Sequence, residues 1–266
     1  MAIEVFNRYE GKFLIDQALY EQIEHKLRQY MELTEFNRMN GFYHITNLYY
    51  DTGDNQLIRH SLSRPQYKQK FRIRAYGVPK GEEKVFLEIK KKVCGLVNKR
   101  RTQITLDEAY DFIASGIRPE LKSYMNKQVI NEIAYSLQLY DLEPKLYIAY
   151  ERQAFFGKED RGLRITFDTN IRTRRSELKL EDGDHGEALL ERNQWLMEVK
   201  TERNVPLWLS KLLSEYKVFR TRFSKYGSEY ERMLADNRRE KGERIECLTP
   251  YQAAYSAQPQ LAHQYL

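Results

Sequence analysis

Eight short stretches of this chain alternate apolar and polar residues with period two, and that repetition constrains the fold more than any other feature. The stretches are 4–14, 43–51, 67–77, 84–93, 97–105, 145–155, 162–172 and 195–201, bounded by turn residues. Successive side chains of a strand point to opposite faces, so the pattern predicts many antiparallel strands, each with one apolar face. Between Val78 and Glu83 the segment VPKGEE sets Pro and Gly between two such runs, as a hairpin connection requires. Helical spacing appears at Leu19, Ile23, Leu27 and Tyr30, and again at Val129, Ile133 and Leu137. Asp16 and Thr105 stand where helix caps belong, and Pro206 opens a third helical pattern carrying Trp208, Leu212 and Tyr216. The expected class is α+β.

A chain of 266 residues with 41% hydrophobic and 13% aromatic content has the means to build one substantial core. No repeat and no linker interrupts residues 1–235, which read as one domain. Beyond them NRREKGER leads into a polar, alanine- and glutamine-rich end, so residues 236–266 are expected to form a mobile tail. No apolar run approaches the ~18 residues of a membrane-spanning helix, and MAIEVFNRYEGKF is no secretory signal. A cytoplasmic protein is expected. Cys94 and Cys247, far apart in the chain, offer neither a disulfide framework nor a thiolate metal site.

Strand parity sorts the charges onto one face. Lys70, Arg72 and Arg74 oppose Phe71 and Ile73; Glu88, Lys90 and Lys92 oppose Leu87 and Ile89; Arg164 and Asp168 oppose Ile165 and Phe167. Glu198 and Lys200 oppose Met197 and Val199, while Arg8, Glu10 and Lys12 oppose Tyr9 and Phe13. A solvated sheet face would give the same alternation with mixed signs. Here, with Arg152 added, ten bases stand against the four acids Glu10, Glu88, Asp168 and Glu198, a surplus of 10 − 4 = +6 that equals the net charge of the whole chain. If these faces converge, like charges repel unless an anion sits among them. Arginine forks suit phosphate, and a few carboxylates suit a divalent cation that completes its shell with phosphate oxygens.

Taken in order, RYEGKFLI, TNLYYDT, KFRIRAYG, FLEIKKK, YERQAF, LRITFDT, LMEVKT and FSKYGSEYERML resemble the VTC (vacuolar transporter chaperone) polyphosphate polymerase domain, a branch of the triphosphate tunnel metalloenzymes, over residues 4–235. The resemblance implies a closed tunnel of about eight antiparallel strands with helices packed outside. It implies transfer of the γ-phosphoryl of ATP to a growing polyphosphate chain, with Mn²⁺ or Mg²⁺. By motif, Lys12, Arg72, Arg74, Lys90, Arg152, Arg164 and Lys200 correspond to the catalytic phosphate-binding set, and Glu198 to the main metal ligand. Lys225 of FSKY corresponds to a further phosphate contact near the tunnel mouth, and Tyr150 to a residue that orients phosphate or nucleotide. Glu10, Lys70, Glu88 and Lys92 complete the expected substrate-binding positions. Hydrolytic relatives begin Glu-x-Glu-x-Lys, whereas this chain has Arg8-Tyr9-Glu10-Gly11-Lys12, a base at the first acidic position, which favours the polymerase branch.

Phosphoryl transfer asks the protein mainly for positioning and charge neutralisation, so no nucleophile is required. The G-x-x-x-x-G-K-S/T phosphate loop is absent, as are GxSxG and HExxH. Two other readings stay open: a triphosphatase or polyphosphate hydrolase on the same scaffold, and a non-catalytic polyanion sensor. Nucleic acid is not an expected partner, because the bases sit on short strands among carboxylates with no recognition helix.

Overall fold

The computed structural model describes residues 9–94, 96–202 and 204–241. In chain order the elements are β1 (Tyr9–Asp16), α1 (Gln17–Tyr30), β2 (Met31–Leu33), α2 (Glu35–Asn40), β3 (Tyr43–Asp51), α3 (Gln56–Leu62), β4 (Tyr67–Tyr76), β5 (Lys84–Val93) and β6 (Leu96–Thr105). There follow α4 (Leu106–Ser115), α5 (Lys127–Leu139), β7 (Glu143–Gly157), β8 (Arg164–Arg174), β9 (Glu187–Ala188), β10 (Gln194–Thr201), α6 (Leu207–Glu215) and α7 (Lys225–Glu240). The α+β class expected from the alternation is what the chain forms. Asp16 caps α1 through Leu19 N at 2.8 Å, Thr105 and Glu108 form a capping box on α4, and α4 ends at Gly116 with φ 70°.

The strands form one antiparallel sheet whose hydrogen-bonded path runs β1-β10-β8-β7-β3-β4-β5-β6, with β2 on β7 and β9 on β8. The expected closed barrel is corrected here. β1 and β6 end the path, and no ladder joins them among the described residues. The reason lies at the edge of β1, whose carbonyls accept from the segment after α6: Thr221 N donates to Lys12 O at 2.7 Å, and Arg220 donates to Glu10 O. Side chains still bring the two ends close, with Lys90 Nζ of β5 at 3.9 Å from Glu10 Oε2 of β1.

Apolar residues of the sheet's other face meet the helices in two clusters. Phe71, Ile73, Leu87, Ile89 and Ile104 pack with Phe112 of α4 and Ile130 and Ile133 of α5. Phe13, Ile15, Ile165, Phe167 and Met197 pack with Ile23 and Leu27 of α1 and Leu209 of α6. Burying an aliphatic or aromatic side chain is worth about 1.5–3 kcal/mol, which ties strand parity to the fold: a one-residue slip would turn Phe71 and Ile73 out and Arg72 in.

The chain divides into two compact units, Met1–Glu229 and Tyr230–Leu266, and the division falls within α7. In the second unit α7 continues to Glu240, so residues 236–240 of the expected tail are helical. Residues 242–266 lie outside the described residues, as does Arg8.

Candidate functional site

The polar face of the curled sheet encloses a cavity of about 170 Å³. β1 supplies Glu10 and Lys12; β4 supplies Lys70, Arg72 and Arg74; β5 supplies Glu88 and Lys90; β7 supplies Tyr150 and Arg152; β10 supplies Glu198 and Lys200. Tyr49 of β3, Lys99 of β6, and Ser224, Lys225 and Tyr226 at the start of α7 complete the lining. Nine cationic side chains thus face three carboxylates. Two expected residues lie off this wall. Lys92 stands beyond Lys90 toward the β5–β6 turn, where Val97 is its cross-strand partner. Arg164 pairs across the ladder with Lys200 and places its guanidinium 5.3 Å from the Phe156 ring centre.

Cross-strand register decides which charges are neutralised. Arg72 stands opposite Glu88 and grips one of its oxygens, Oε2, with Nε at 2.8 Å and Nη2 at 2.6 Å, while Nη1 donates to the Tyr49 hydroxyl at 2.6 Å. Lys99 reaches Glu88 Oε1 at 2.7 Å. Burial would raise the Glu88 carboxyl, yet Arg72, Arg74 and Lys99 hold it far below the usual carboxylate range. Arg74 donates to Asn47 Oδ1 at 2.9 Å and to the Tyr150 hydroxyl at 3.1 Å. A second knot centres on fully buried Asp168, which takes Arg152 in a two-point grip at 2.5 and 2.7 Å and Lys225 at 2.5 Å. Burial pushes the Tyr150 phenol up, but Arg152, Arg74 and Lys225 draw it down to about 8.

Lysines fill the rest of the cavity. Lys200 lies 2.5 Å from Glu198 Oε1, and Lys12 lies 3.8 Å from Glu198 Oε2 and 3.6 Å from Glu10. The charged groups that act most strongly on Lys70 are cations, and it donates to Ser224 Oγ at 3.1 Å. Burial first, then Lys12, Lys90, Lys68 and Arg72, push its pKa down to about 7. Burial does the same to Lys99, with Glu88 opposing, and leaves it at about 7.

Glu198 and Glu10 are held in the charged form against the burial that disfavours it, Glu198 by Lys200, Lys12 and Arg152 and Glu10 by Lys90, Lys200 and Lys12. No group of three or more His, Cys, Asp or Glu suited to a metal occurs among the described residues. The donor set therefore fits a divalent cation that brings phosphate oxygens and waters with it, and does not fit a cage made of protein ligands alone.

Parity left Lys99 and Tyr49 outside the expected site and missed Ser224 and Tyr226. The signal for Lys99 was its place opposite Lys90 across the β5–β6 turn, and that for Tyr49 its place in the alternating run 43–51 in step with Asn47; Ser224 and Tyr226 had none, since the segment leading into α7 does not alternate.

Fold and site together define an α+β protein whose polar sheet face gathers nine cationic side chains around one cavity. The VTC domain model matches residues 7–234, and the chain belongs to that family. No curated protein matches it. In fold it is similar to an adenylate cyclase candidate from Bacillus halodurans, at 15% identity and TM-score 0.50 over 84% of this chain and 94% of that one. A Hippeastrum adenylyl cyclase candidate, described as having a dominant triphosphatase activity, aligns at 16% identity and TM-score 0.48 over 89% of this chain and 97% of that one. A Pyrococcus horikoshii protein aligns at 16% identity and TM-score 0.41 over 85% of this chain and 99% of that one. The first of these likenesses, at 15% identity, is a likeness of fold alone. No helix among the described residues is long and apolar enough to cross a membrane.

Proposed function

We propose that this protein is an ATP-dependent polyphosphate polymerase of the cytoplasm, using Mn²⁺ or Mg²⁺. The observation that carries the reading is the cavity of nine cations and three carboxylates, more positive charge than its own acids neutralise and suited to a chain of phosphates. Membership of the VTC family supports it. A terminal oxygen of the bound polyphosphate attacks the γ-phosphorus of ATP, a new P–O bond forms, the bond from that phosphorus to the β,γ-bridging oxygen breaks, and ADP leaves with its electron pair. Arg72, Arg74, Lys12, Lys90, Arg152 and Lys200 hold the phosphates in line and offset charge on the transferring group. Lys70 and Lys225 extend that wall, and Arg164 and Lys92 serve phosphates just outside it. Glu198, with Glu10 beside it, would hold the metal, which when bound neutralises phosphate oxygens. A chain bound by the wall presents its end at high effective concentration, so it outcompetes water as acceptor.

Incubation of the full chain with ATP and Mn²⁺ or Mg²⁺, followed by phosphate-chain electrophoresis, tests the proposal. ADP plus a ladder of long chains is expected, with orthophosphate a minor product. Stoichiometric orthophosphate without chains would overturn it in favour of a triphosphatase, and polyphosphate binding without ATP turnover would make the protein a sensor.

A further inference from the structure

The cavity wall carries four hydroxyl groups, those of Tyr49, Tyr150, Ser224 and Tyr226, and their hydrogen bonds set one of them apart. Tyr226 donates its proton to Asp51 Oδ2 at 2.9 Å, and burial, with Asp51 beside it, pushes its phenol up. Ser224 Oγ accepts from Lys70 and from Gly227 N. Tyr49 accepts from Arg72, a guanidinium whose charge Glu88 already meets. Tyr150 accepts from Arg74 Nη2 at 3.1 Å and donates to no protein group among the described residues.

Three cations converge on Tyr150. Lys225 Nζ lies 4.3 Å and the Arg152 guanidinium 5.1 Å from the centre of its ring, and Arg74 is bonded to its oxygen. Burial opposes them, yet together they draw the phenol down to about 8, against about 10 for an ordinary tyrosine. A tyrosine oxygen becomes a useful nucleophile when its surroundings favour the deprotonated form. Its position suits the same role. Arg74 commits Nε to Asn47 and Nη2 to Tyr150, which leaves Nη1, among the described residues, to hold a phosphate next to that oxygen.

We propose that Tyr150 is the first phosphoryl acceptor: with no polyphosphate chain in the cavity, ATP phosphorylates its hydroxyl and a chain starts on the protein itself. The phenol gives its proton to water, and its oxygen attacks the γ-phosphorus of ATP. A bond forms between that phosphorus and the tyrosine oxygen, the bond to the β,γ-bridging oxygen breaks, and ADP leaves with the electron pair. An oxygen of the phosphate now on Tyr150 attacks the next ATP by the same bond changes. The inference rests on the proposed function in taking ATP as the donor.

The test uses the full chain, stripped of bound polyphosphate with an exopolyphosphatase and mixed with stoichiometric ATP and Mn²⁺. After an acid quench, intact mass and peptide mapping read the product. A gain of one phosphoryl group is expected, stable to acid as an aryl phosphate is and mapped to Tyr150. Tyr150→Phe, which keeps the ring, should lose it; Tyr49→Phe, which removes the other phenol bonded to an arginine, should keep it. Excess ATP should add further phosphoryl groups to the same peptide. An absent adduct, an adduct that persists in Tyr150→Phe, or an acid-labile adduct on a lysine such as Lys70 would overturn the assignment. Free chains made without any adduct would overturn it and leave the polymerase reading standing, whereas a single phosphoryl group on Tyr150 that never lengthens, with no chains, would keep the acceptor and remove the polymerase.

Discussion

Two neighbouring parts of one strand face meet opposite electrostatic conditions. Arg72 lies against Glu88, which also holds Lys99 and stands near Arg74, so these cations share one carboxylate. Lys70, two residues away, has Lys12, Lys90, Lys68 and Arg72 about it and meets the Ser224 hydroxyl and the Tyr226 ring, with no ion pair to an acid among the described residues. The first region is a frame: its cations are already oriented, so little ordering remains to be done when a phosphate arrives. The second is a demand, since a buried cation among cations is stabilised chiefly by an incoming anion. Positive charge alone therefore does not separate the two regions; the register that pairs Arg72 with Glu88 and leaves Lys70 facing Lys90 does.

The sharpest way to break this contrast is Glu88→Gln. It leaves Arg72, Arg74 and Lys99 buried without their shared carboxylate, and removing one member of a buried ion pair costs about 3–5 kcal/mol. For a chain of this size that lowers the unfolding temperature by about 6–20 °C. Added tripolyphosphate should recover more of the loss in the variant than it adds to the wild type, because it supplies the missing negative charge. Thermal unfolding with and without tripolyphosphate reads both; an unchanged unfolding temperature would show that the frame is not held by Glu88.

Lys70→Met should do the reverse. The methionine removes a repelled charge and keeps the stem's packing, so the anion-free protein should unfold at the same temperature or higher. Tripolyphosphate affinity should fall on the order of tenfold, the value of about 1.4 kcal/mol that a charge-assisted contact typically carries. Lower stability together with unchanged affinity would assign Lys70 to the frame.

The same contrast has a pH signature. Unfolded Lys70 keeps its proton to about 10.5, whereas the folded side chain releases it near 7. Between those values the unfolded chain binds more protons, so anion-free stability rises with pH across that window. Below pH 7 both states are protonated and the penalty is complete; above 10.5 both are neutral and it is gone. Lys99, also near 7, adds to the same slope. Bound tripolyphosphate favours the charged forms and should flatten the rise, and it should bind with proton uptake above pH 7. Urea unfolding at a series of pH values, with and without tripolyphosphate, measures this; equal slopes would mean that these lysines do not meet the anion.

What alternation could reveal follows from what writes it. Burial of one sheet face imposes period two, so β3, β4, β5, β6, β7, β8 and β10 lie within three residues of the sequence expectation. Asp16, Thr105 and Pro206 marked α1, α4 and α6 because caps are chemical signals. α3 had none of the usual kind: Asn55 adopts the left-handed conformation and makes no cap bond, and Leu57 N and Ile58 N are met by Asp51, the last residue of β3 and outside the cap positions. β2 and β9, of three and two residues, are too short to show a period. In the site, parity marked Lys12, Lys70, Arg72 and Lys90 since the cavity face is the polar face. It could not say that Glu88 grips Arg72 or that Asp168 grips Arg152, because register depends on turns and a bulge in β7 between Ala149 and Glu151.

The smallest expected effect sharpens the comparison most, because it converts one region into the other. Ser224 precedes α7, its Oγ accepts from Gly227 N at 3.3 Å, and the same oxygen receives Lys70. Aspartate is as good a helix cap as serine, so Ser224→Asp preserves the start of α7 while giving Lys70 the carboxylate that Arg72 already has. Its pKa should then move up from about 7, and the stability gain should be about 1 kcal/mol, typical of a favourable charge at a helix start and of a partly buried pair. The new carboxylate also competes with phosphate, so tripolyphosphate should bind several-fold more weakly and with less proton uptake. Ser224→Ala separates the two roles: it loses about 1 kcal/mol of capping without gaining a charge. If Ser224→Asp binds tripolyphosphate as the wild type does, Lys70 is not the group that waits for the anion, and the demand must be placed on Lys12, Lys90 and Lys200 instead.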